Sequence, residues 1–573
     1  MRCSHAFVLI LVVACGGGGH GTPAGGSDGG TTADSGSPVD GASTSDSGGP
    51  ADGSVAMDGA GGDGSVPPPP GPVCTPPVSP SDTSHPTSVV GTGAGTCNQT
   101  LLAAAVAKGG IITFDCGTSA TIPITTTLTL RTDVDTVIDG GGQITLDGGG
   151  TTQIMSFNHA NYRVNTIKLT VMNITLSHGK ISGTMKYAPA PAPCSQGYYD
   201  GYGGALFVRD GEVLIINTVF DGNTAEQLGP DVGGGALSLQ GVLKATIIGS
   251  TFANGSASNG GGIESLNSDF DVYNSVFSGN TATGNGANSD DASKCSVVAT
   301  NGQHQVGSGG NAGAVAIDGG SDLTHTFCGV TFKGNTAGAQ ALGGALGRTP
   351  DGAKQTTVLD RCLFDGNQAP EGGGGAVYFH NSTLQVTATT FHANVAKGCG
   401  GIQADGTSIV FVNDTFESNQ TNATGAVGGA MCLFGGDGSM RNVTFANSKV
   451  DGFGSAIFGN PTLTVDNCLF ANNTGSNPGA PMQCQLTATG GANVQFPKNH
   501  TSGGAADTAC VSGIAFADPM LGAIGANGGS TPTMLPAVGS PALGIGQMCP
   551  ATDQRGITRP ASNCTSGAVE GTK

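Results

Sequence analysis

Tryptophan is absent from this 573-residue sequence, and charged and aromatic residues are scarce. Asp, Glu, Lys and Arg together make up 11% of the chain, and Phe, Trp and Tyr make up 5%. Lys and Arg number 21 and Asp and Glu 40, so the formal net charge is 21 − 40 = −19. Because the sequence has no basic patch that could neutralise a phosphate backbone, we expect no nucleic-acid binding.

C-x-x-C pairs are also absent, although the chain contains 16 cysteines. Widely spaced cysteines argue against a zinc site, and we expect neither a metal nor a cofactor. Setting aside Cys3 and Cys15 near the N-terminus leaves 16 − 2 = 14, an even number that indicates disulfides in an exported protein. The predicted local pairs are Cys97–Cys116, Cys484–Cys510 and Cys549–Cys564.

Glycine, in contrast, is abundant, and many of the 101 glycines lie in a repeat over about residues 203–473. Each unit begins with a glycine pair and a small or apolar residue, as in Gly234-Gly235-Ala236, and reaches a Phe about 15 to 20 residues later. Phe252 and Phe445 precede an Asn by two positions. The other units read Phe-x-x-Asn: Phe220/Asn223, Phe277/Asn280, Phe332/Asn335, Phe364/Asn367, Phe391/Asn394, Phe416/Asn419 and Phe470/Asn473.

The period of this repeat predicts the fold. Successive Phe residues are 25 to 32 positions apart, except for one interval of 55 that we interpret as a unit with an insertion. A propeller blade needs about 40–45 residues, whereas three short strands fit about 25. Runs such as Val213-Leu214-Ile215-Ile216 are strand-like. We therefore predict an all-β, right-handed, single-stranded parallel β-helix, with Phe side chains stacked inside and Asn amides bonded along the axis.

The N-terminal end of such a core needs a cover. Residues 101–107 form a short apolar run that predicts a capping helix, and a first strand is predicted from Gly110. A Cys97–Cys116 disulfide would hold the two together. We place the β-helix over residues 97–514.

The repeated combination of a glycine pair with Phe-x-x-Asn resembles the repeats of bacterial polymorphic outer-membrane proteins. The resemblance covers about residues 203–473. It implies a surface-exposed, adhesin-like β-helix.

Residues 515–573 contain a second set of ordered motifs. They are Asp518-Pro519-Met520-Leu521-Gly522, Asn527-Gly528-Gly529-Ser530-Thr531-Pro532-Thr533, Gly539-Ser540-Pro541-Ala542-Leu543, Asp553-Gln554-Arg555-Gly556, Arg559-Pro560 and Gly567-Ala568-Val569-Glu570. Together they resemble the C-terminal module of bacterial choice-of-anchor Q proteins, although Gly544 stands where that family usually has Asp. The resemblance implies a surface β-helix protein and no reaction. We expect the module to cap the C-terminal end.

Residues 1–15 have the features of an export signal, with Arg2 before a short apolar core. Val12-Val13-Ala14-Cys15 resembles the bacterial lipobox, which implies a lipid on Cys15. The residue after this cysteine is Gly16, and in this it resembles lipoproteins that are sorted to the outer membrane. The alternative is an ordinary cleaved signal. Residues 16–96 are rich in Gly, Ser, Asp and Pro and predict a disordered linker. We expect a lipid-anchored, surface-exposed outer-membrane protein.

Two insertions, at about residues 184–202 and 281–312, each precede a glycine-pair position, so both are expected to leave the solenoid at the same turn. These insertions contain tyrosines, whose ring faces can pack against sugar rings, and carboxylates, which can bind hydroxyl groups or a cation. Cys194 and Cys295 could join the two loops. The alternative is that both loops are inert. The candidate ligand-binding residues are Tyr198, Tyr199, Tyr202, Asp290 and Asp291.

We expect a non-catalytic surface protein for adhesion, binding glycans or cell-surface proteins. The alternative is a polysaccharide lyase or a glycoside hydrolase, because pectin-degrading enzymes share this fold, although fold alone does not establish function. A lyase needs a base and Ca²⁺-binding carboxylates, and a hydrolase needs paired carboxylates. No stacked Arg or Lys is expected beside the best charged clusters, which favours the non-catalytic interpretation. Those clusters are Arg209-Asp210 with Glu212, Asp269 with Asp271, and Asp290-Asp291.

An autotransporter passenger is a third interpretation. The residues up to Lys573 lack the repeated ten-residue alternating strands that such a protein's membrane domain needs, which argues against it.

Overall fold

Three walls of short parallel strands wind around one apolar core. A computed structural model describes residues 71–186, 197–286, 309–320, 322–350, 354–500 and 504–572. All of these belong to one compact unit, Gly64–Lys573, and the other unit, Met1–Asp63, lies outside them. A continuous sheet of 36 strands is accompanied by small sheets of two and five strands. The predicted parallel β-helix is confirmed.

In each coil, the strand of the first wall comes directly after the glycine pair in the sequence, and a short turn leads from it to the strand of the second wall. The strands of the first wall are Leu128–Thr129, Met155–Asn158, Leu206–Arg209, Leu237–Gln240, Ile263–Leu266, Val315–Gly319, Leu346–Pro350, Val377–His380, Ile402–Asp405 and Met431–Phe434. Those of the second are Ser88–Val90, Gly110–Phe114, Glu212–Ile216, Lys244–Ile248, Phe270–Tyr273, Thr324–Cys328, Thr356–Asp360, Thr383–Thr387, Ser408–Val412 and Asp437–Arg441.

The third wall holds the Phe of each repeat, and four longer strands span two walls. The third-wall strands are Ala120–Pro123, Val219–Asp221, Thr251–Ala253, Val276–Ser278, Thr331–Lys333, Leu363–Asp365, Thr390–His392, Thr415–Glu417, Thr444–Ala446, Leu469–Ala471, Val494–Phe496 and Ala515–Phe516. The two-wall strands are Thr136–Asp147, Lys168–Ser177, Ile457–Asp466 and Cys484–Thr489. Short strands line the turn after the third wall: Ser256–Ala257, Thr281–Ala282, Gln368–Gly373, Val395–Gly398, Gln420–Thr421, Lys449–Val450 and Thr474–Gly475.

The Phe side chains form one internal column. Each ring is the middle residue of a three-residue strand, so the alternation of the strand points it inward. Neighbouring centroids lie 4.5 to 5.4 Å apart with interplanar angles of 3° to 16°. Phe277 stacks directly on Phe332, which confirms that the interval of 55 residues is one coil with an insertion. The rings are those of Phe220, Phe252, Phe277, Phe332, Phe364, Phe391, Phe416, Phe445 and Phe470.

A ladder of buried Asn side chains runs beside the Phe column. Asn335 Nδ2 donates to Asn367 Oδ1 at 2.9 Å and to the carbonyl of Phe277 at 3.0 Å. Asn367 Oδ1 also accepts the backbone N–H of Asn335 at 3.0 Å. The same pattern joins each rung from Asn280 to Asn419. The amide row predicted along the axis is therefore confirmed.

A single helix covers the N-terminal end of the core. It is Gln99–Val106, and Asn98 caps it by accepting the N–H of Leu101 at 3.1 Å. Its buried face joins the core through Leu102, Ala105 and Val106. The predicted capping helix is confirmed with a boundary that differs by one or two residues. Across the described ranges, no helix is long and apolar enough to cross a membrane.

An N-terminal strap, residues 73–87, runs over the outer face of the second wall. At one end Cys74 is bonded to Cys328, and its N–H donates to Asn274 Oδ1 at 2.9 Å. Towards the other end Thr83 Oγ1 donates to Asp139 Oδ2 at 2.8 Å. Ser88–Val90 then joins the second wall beside Gly110–Phe114. The predicted linker boundary at residue 96 is therefore wrong, because these residues are part of the fold.

Four apolar residues that point away from the core are buried, and we attribute this to the strap, whose two anchoring points lie on either side of them. They lie on coils between those of Asp139 and Asn274, which the strap crosses. Their relative exposures are 2%, 2%, 3% and 9%. The residues are Met172, Leu214, Ile216 and Ile248.

Removing the strap's disulfide should release it. For Cys74→Ser with Cys328→Ser we expect a loss of about 2 kcal/mol in unfolding free energy, the low end for a native disulfide. A non-specific protease should cut residues 75–87 faster, and a dye for exposed apolar surface should bind more. Cys549→Ser with Cys564→Ser, which opens a bond remote from the strap, is the matched control. Unchanged cleavage of residues 75–87 in the first variant would show that the strap is held without the bond.

The C-terminal module lies along the side of the solenoid. Ala515–Phe516 extends the third wall, and later residues run back over the turn between the second and third walls. The core's C-terminal end is covered by Cys510, Val511 and Ile514. The expected capping role of the module is thus corrected to a lateral one. Contacts across this face pair Ala388 with Thr531, Thr390 with Pro532, Thr415 with Gln554, and Asn442 with Gly567.

One residue of the turn under this module is a fully buried acid. Asp414 Oδ1 accepts the N–H of Thr389 at 2.9 Å, whereas Oδ2 has no hydrogen-bond partner. Burial raises the pKa of the Asp414 carboxyl well above its usual value, and the hydrogen bond from Thr389 only partly opposes this. Three coils further on, Asn493 occupies the same position, accepts from Cys468 N at 2.7 Å and donates to Val465 O at 2.8 Å.

Asp414→Asn should therefore stabilise the protein at neutral pH. Folding raises the pKa of the Asp414 carboxyl above its unfolded value near 3.8. The protonated carboxyl therefore stabilises the folded state most fully below pH 3.8, and this stability is lost as the pH rises towards the folded pKa. A tenfold change in the proton affinity of a carboxyl corresponds to about 1.4 kcal/mol, so we expect a gain of more than about 1 kcal/mol at pH 7 that disappears near pH 3. Chemical unfolding at both pH values measures it. Equal gains at pH 3 and pH 7 would contradict the protonation argument.

Candidate ligand-binding groove

The predicted tyrosines lie together, but only one presents an exposed ring. Tyr199 is 41% exposed. The Tyr198 ring has the Lys186 ammonium 5.7 Å from its centroid, and Tyr202 stacks on Phe207 at 5.7 Å. Cys15, Asp290, Asp291, Cys194 and Cys295 lie outside the described residues.

Among the described residues five disulfides are present, and three of them are the pairs named from the sequence: Cys97–Cys116, Cys484–Cys510 and Cys549–Cys564. Cys74–Cys328 and Cys399–Cys432 were not predicted; the first pair is 254 positions apart, and the second, 33 positions apart, joins neighbouring coils. Cys362 and Cys468 are buried thiols.

The charged clusters considered for catalysis have structural partners. Asp210 is fully buried and accepts the N–H groups of Val164, Asn165 and Gly211 at 2.8 to 2.9 Å. Asp269 and Asp271 both bind the Lys244 ammonium, at 2.7 and 2.6 Å. The expectation that no basic residue stacks beside these clusters is wrong for Lys244, which lies on the neighbouring coil.

A groove lies on the outer face of the first wall. In-register pairing aligns one outward residue per strand, and two small residues in this row leave a depression between larger ones. The depression is small: its accessible volume is about 20 Å³, which is room for about one water molecule. The row runs Phe207, Ser238, Glu264, Ala316, Gly347 and Tyr378. The lining residues are Pro230, Asp231, Asn259, Glu264, Asn311, Ala316, Ile317, Asp318, Gly347 and Thr349.

Glu264 forms part of the floor and is 4% exposed. Its Oε2 accepts the Ser238 hydroxyl at 2.7 Å. Burial raises the pKa of the Glu264 carboxyl to about 8, the hydrogen bond from Ser238 opposes this rise, and the charges of Asp318 and Asp231 add to it. The groove therefore holds a protonated carboxyl at neutral pH beside two further acids.

Two Asn residues form the side of the depression that lies nearest the glycine-pair turn. Asn259 Nδ2 donates to Pro230 O at 2.7 Å, and its Oδ1 accepts the N–H of Asn311 at 3.0 Å. Asn311 is 4% exposed, and its Nδ2 has no acceptor. A buried amide that lines a groove with an unused donor is suited to a ligand oxygen, because an unsatisfied buried donor costs about 1–3 kcal/mol.

An aromatic pair lies close to this groove. Phe207 is two strand spacings, about 10 Å, from Glu264 along the row. Because Tyr202 stacks on Phe207, the first insertion brings aromatic surface to the same face of the wall. The outer face of this wall therefore presents acids and amides and, about 10 Å along the row, a pair of aromatic rings.

No family model matches this chain, and no curated protein matches its sequence. The groove residues Glu264, Asn311 and Asp318 were missed in the sequence. A usable signal existed, since Glu264 stands two positions after the glycine pair Gly261-Gly262, where other units have Ser238, Ala316 or Tyr378.

Proposed function

We propose that this protein is a surface β-helix that binds carbohydrate on the outer face of its first wall, without catalysis. The supporting observation is the outer row of this wall, where the unused amide donor of Asn311 and the acid Glu264 lie on the same face as the stacked rings of Tyr202 and Phe207. Hydroxyl-rich ligands have many acceptors and donors and an apolar ring face, which matches this lining.

Filling the groove tests this proposal. Ala316→Tyr adds an aromatic side chain in a row that already holds Phe207 and Tyr378, so the wall should tolerate it. We expect the purified protein to bind members of a glycan array and Ala316→Tyr to lose that binding at least tenfold. Gln485→Tyr, an exposed position of the same row far from the groove, is the matched control. Binding to no glycan, or full binding by Ala316→Tyr, would refute the proposal.

A glycoside hydrolase is a second candidate, favoured by the protonated Glu264 carboxyl near Asp231 and Asp318. Hydrolysis needs one carboxylic acid and one carboxylate across the scissile bond. If it occurs, Glu264→Gln should reduce the release of reducing ends from a bound oligosaccharide by about 10²–10⁴-fold. Equal release by the parent and the variant would remove Glu264 from this role.

We also propose that the protein is anchored to the outer membrane by a lipid on Cys15 and faces the outside. The lipobox-like Val12-Val13-Ala14-Cys15 and the glycan groove support this. Metabolic labelling with a fatty acid should mark the parent but not Cys15→Ser, and protease added to intact cells should digest the parent. Absence of label would refute the anchor, and complete protection from protease would refute the outward orientation.

A further inference from the structure

The outer face of the third wall carries a row of charged side chains that carbohydrate binding on the first wall does not use. Strand pairing aligns Asp365, His392 and Glu417 on three successive coils, each at the last position of its strand. His392 Nδ1 lies 2.7 Å from Asp365 Oδ1, and His392 Nε2 lies 3.3 Å from Glu417 Oε2. The Lys333 ammonium is 4.0 Å from the other oxygen of Asp365. The imidazole is therefore held between two carboxylates.

Glu417 presents one carboxylate oxygen to this imidazole without a hydrogen bond. The residue is 5% exposed, and its Oε1 accepts the Ser418 hydroxyl at 2.6 Å and Asn447 Nδ2 at 2.9 Å. Its Oε2 accepts no hydrogen bond from the described residues, although His392 Nε2 is its neighbour. A buried carboxylate oxygen without a donor is unfavourable, and a cation between Oε2 and Nε2 would satisfy both atoms.

The separation of these two atoms fits a tetrahedral zinc ion. Zn²⁺ lies about 2.0–2.1 Å from an imidazole nitrogen and about 2.0–2.2 Å from a carboxylate oxygen. With such bonds, atoms 3.3 Å apart subtend an angle of about 105° at the ion, which is close to tetrahedral. A square-planar ion such as Cu²⁺ needs a right angle, and therefore a separation of about 2.9 Å. Mg²⁺ and Ca²⁺ prefer oxygen ligands alone.

Asp365 fixes the direction of the imidazole. An ionised carboxylate only accepts hydrogen bonds, so His392 Nδ1 donates to Asp365 Oδ1 and Nε2 is the nitrogen available to a metal. The same hydrogen bond raises the pKa of His392, burial opposes the rise, and the charges of Asp365 and Glu417 add to it. A metal ion at Nε2 has to replace a proton there, so its binding should weaken as the pH falls.

We infer that His392 Nε2 and Glu417 Oε2 bind a Zn²⁺ ion on the outer face of the third wall, with Asp365 positioning the imidazole and water filling the remaining coordination positions. The ion joins two neighbouring coils, so it stabilises the folded chain. This site is independent of carbohydrate binding. The expectation of no metal came from the spacing of the cysteines, and this site contains none.

Calorimetric titration of the chelator-treated full chain with zinc chloride at pH 7.5 tests the inference. We expect His392→Gln and Glu417→Gln each to weaken the tightest Zn²⁺ binding step by about tenfold or more. His178→Gln is the matched control, because His178 lies 3.2 Å from Asp147 but has no second acid among its described partners. It should change that affinity by less than about twofold.

Two further measurements address the roles of Asp365 and of the displaced proton. Asp365→Asn should weaken Zn²⁺ binding by about 10–100-fold, and nuclear magnetic resonance of the metal-free variant should show His392 titrating at a lower pH than in the parent. The affinity of the parent should fall by about threefold or more between pH 7.5 and pH 6.0. A hundredfold excess of Mg²⁺ should not displace the bound Zn²⁺.

Equal Zn²⁺ affinity in the parent and in His392→Gln would place the ion at other sites only and would overturn the inference, whether or not Glu417→Gln folds. The absence of Zn²⁺ binding by the parent, or an affinity that is the same at pH 7.5 and pH 6.0, would overturn it as well. An unchanged affinity in Asp365→Asn would remove the positioning role from that residue.

Discussion

Phe364→Ala should destabilise the protein by about 3–5 kcal/mol, the usual range for a buried Phe replaced by Ala. The ring is fully buried, with Phe332 at 4.6 Å and Phe391 at 4.9 Å, both nearly parallel to it. Truncation removes apolar burial, two stacking contacts and the filling of the column at once. Denaturant unfolding followed by far-ultraviolet circular dichroism measures the loss.

Two controls separate the column from a general effect of Phe removal. Phe434 is 37% exposed, so Phe434→Ala should cost less than about 1 kcal/mol, as surface substitutions usually do. Phe364→Leu keeps an apolar side chain in the column and should cost less than Phe364→Ala. A loss below about 1 kcal/mol for Phe364→Ala would contradict a tightly packed column.

Asn367→Leu should cost about 4 kcal/mol or more while keeping a side chain of similar size. Four hydrogen bonds end on or begin at this amide: Asn335 N and Nδ2 donate to its Oδ1, and its Nδ2 donates to Phe332 O and to Asn394 Oδ1, both at 3.0 Å. Leucine leaves these buried groups unpaired, and each unsatisfied group costs about 1–3 kcal/mol. Thermal and denaturant unfolding both report it.

Asn422→Leu is the matched control, because Asn422 is exposed and makes one long contact, 3.4 Å from Nδ2 to Pro370 O. We expect it to cost less than about 0.5 kcal/mol. A similar loss in both variants would mean that the ladder contributes no more than any surface amide. Asn367→Asp retains an acceptor for Asn335 but loses the donor to Phe332 and Asn394 and buries a carboxyl group, so it should also cost far more than Asn422→Leu.

The candidate site was only partly predictable. The sequence placed the tyrosines of the first insertion just before a glycine pair, and they lie there in the structure, but Tyr202 stacks on Phe207 and only Tyr199 is exposed. Glu264 gave no cluster signal, because Asp231 and Asp318 stand 33 and 54 positions from it in the chain (264 − 231 and 318 − 264). Asp231, Glu264 and Asp318 lie on successive coils, so they are close in space although at least the length of one coil separates them in sequence. The coil between Glu264 and Asp318 contains a long insertion, which makes that second separation larger.

The sequence by itself determined the repeated part of this protein: the strand period, the Phe column, the Asn ladder, the capping helix and three of the disulfide pairs. The Phe and Asn contacts join residues on neighbouring coils, so they recur at the spacing of the repeat, and the helix and the three disulfides are local in sequence, with partners 15 to 26 positions apart. Only the tertiary structure decided the strap, the lateral course of the C-terminal module and the groove. The strap joins Cys74 to Cys328 across 254 residues, and the module joins Thr390 to Gln554 across 164. Such contacts occur once and follow no period, so they exist only where the finished solenoid presents a surface to cover.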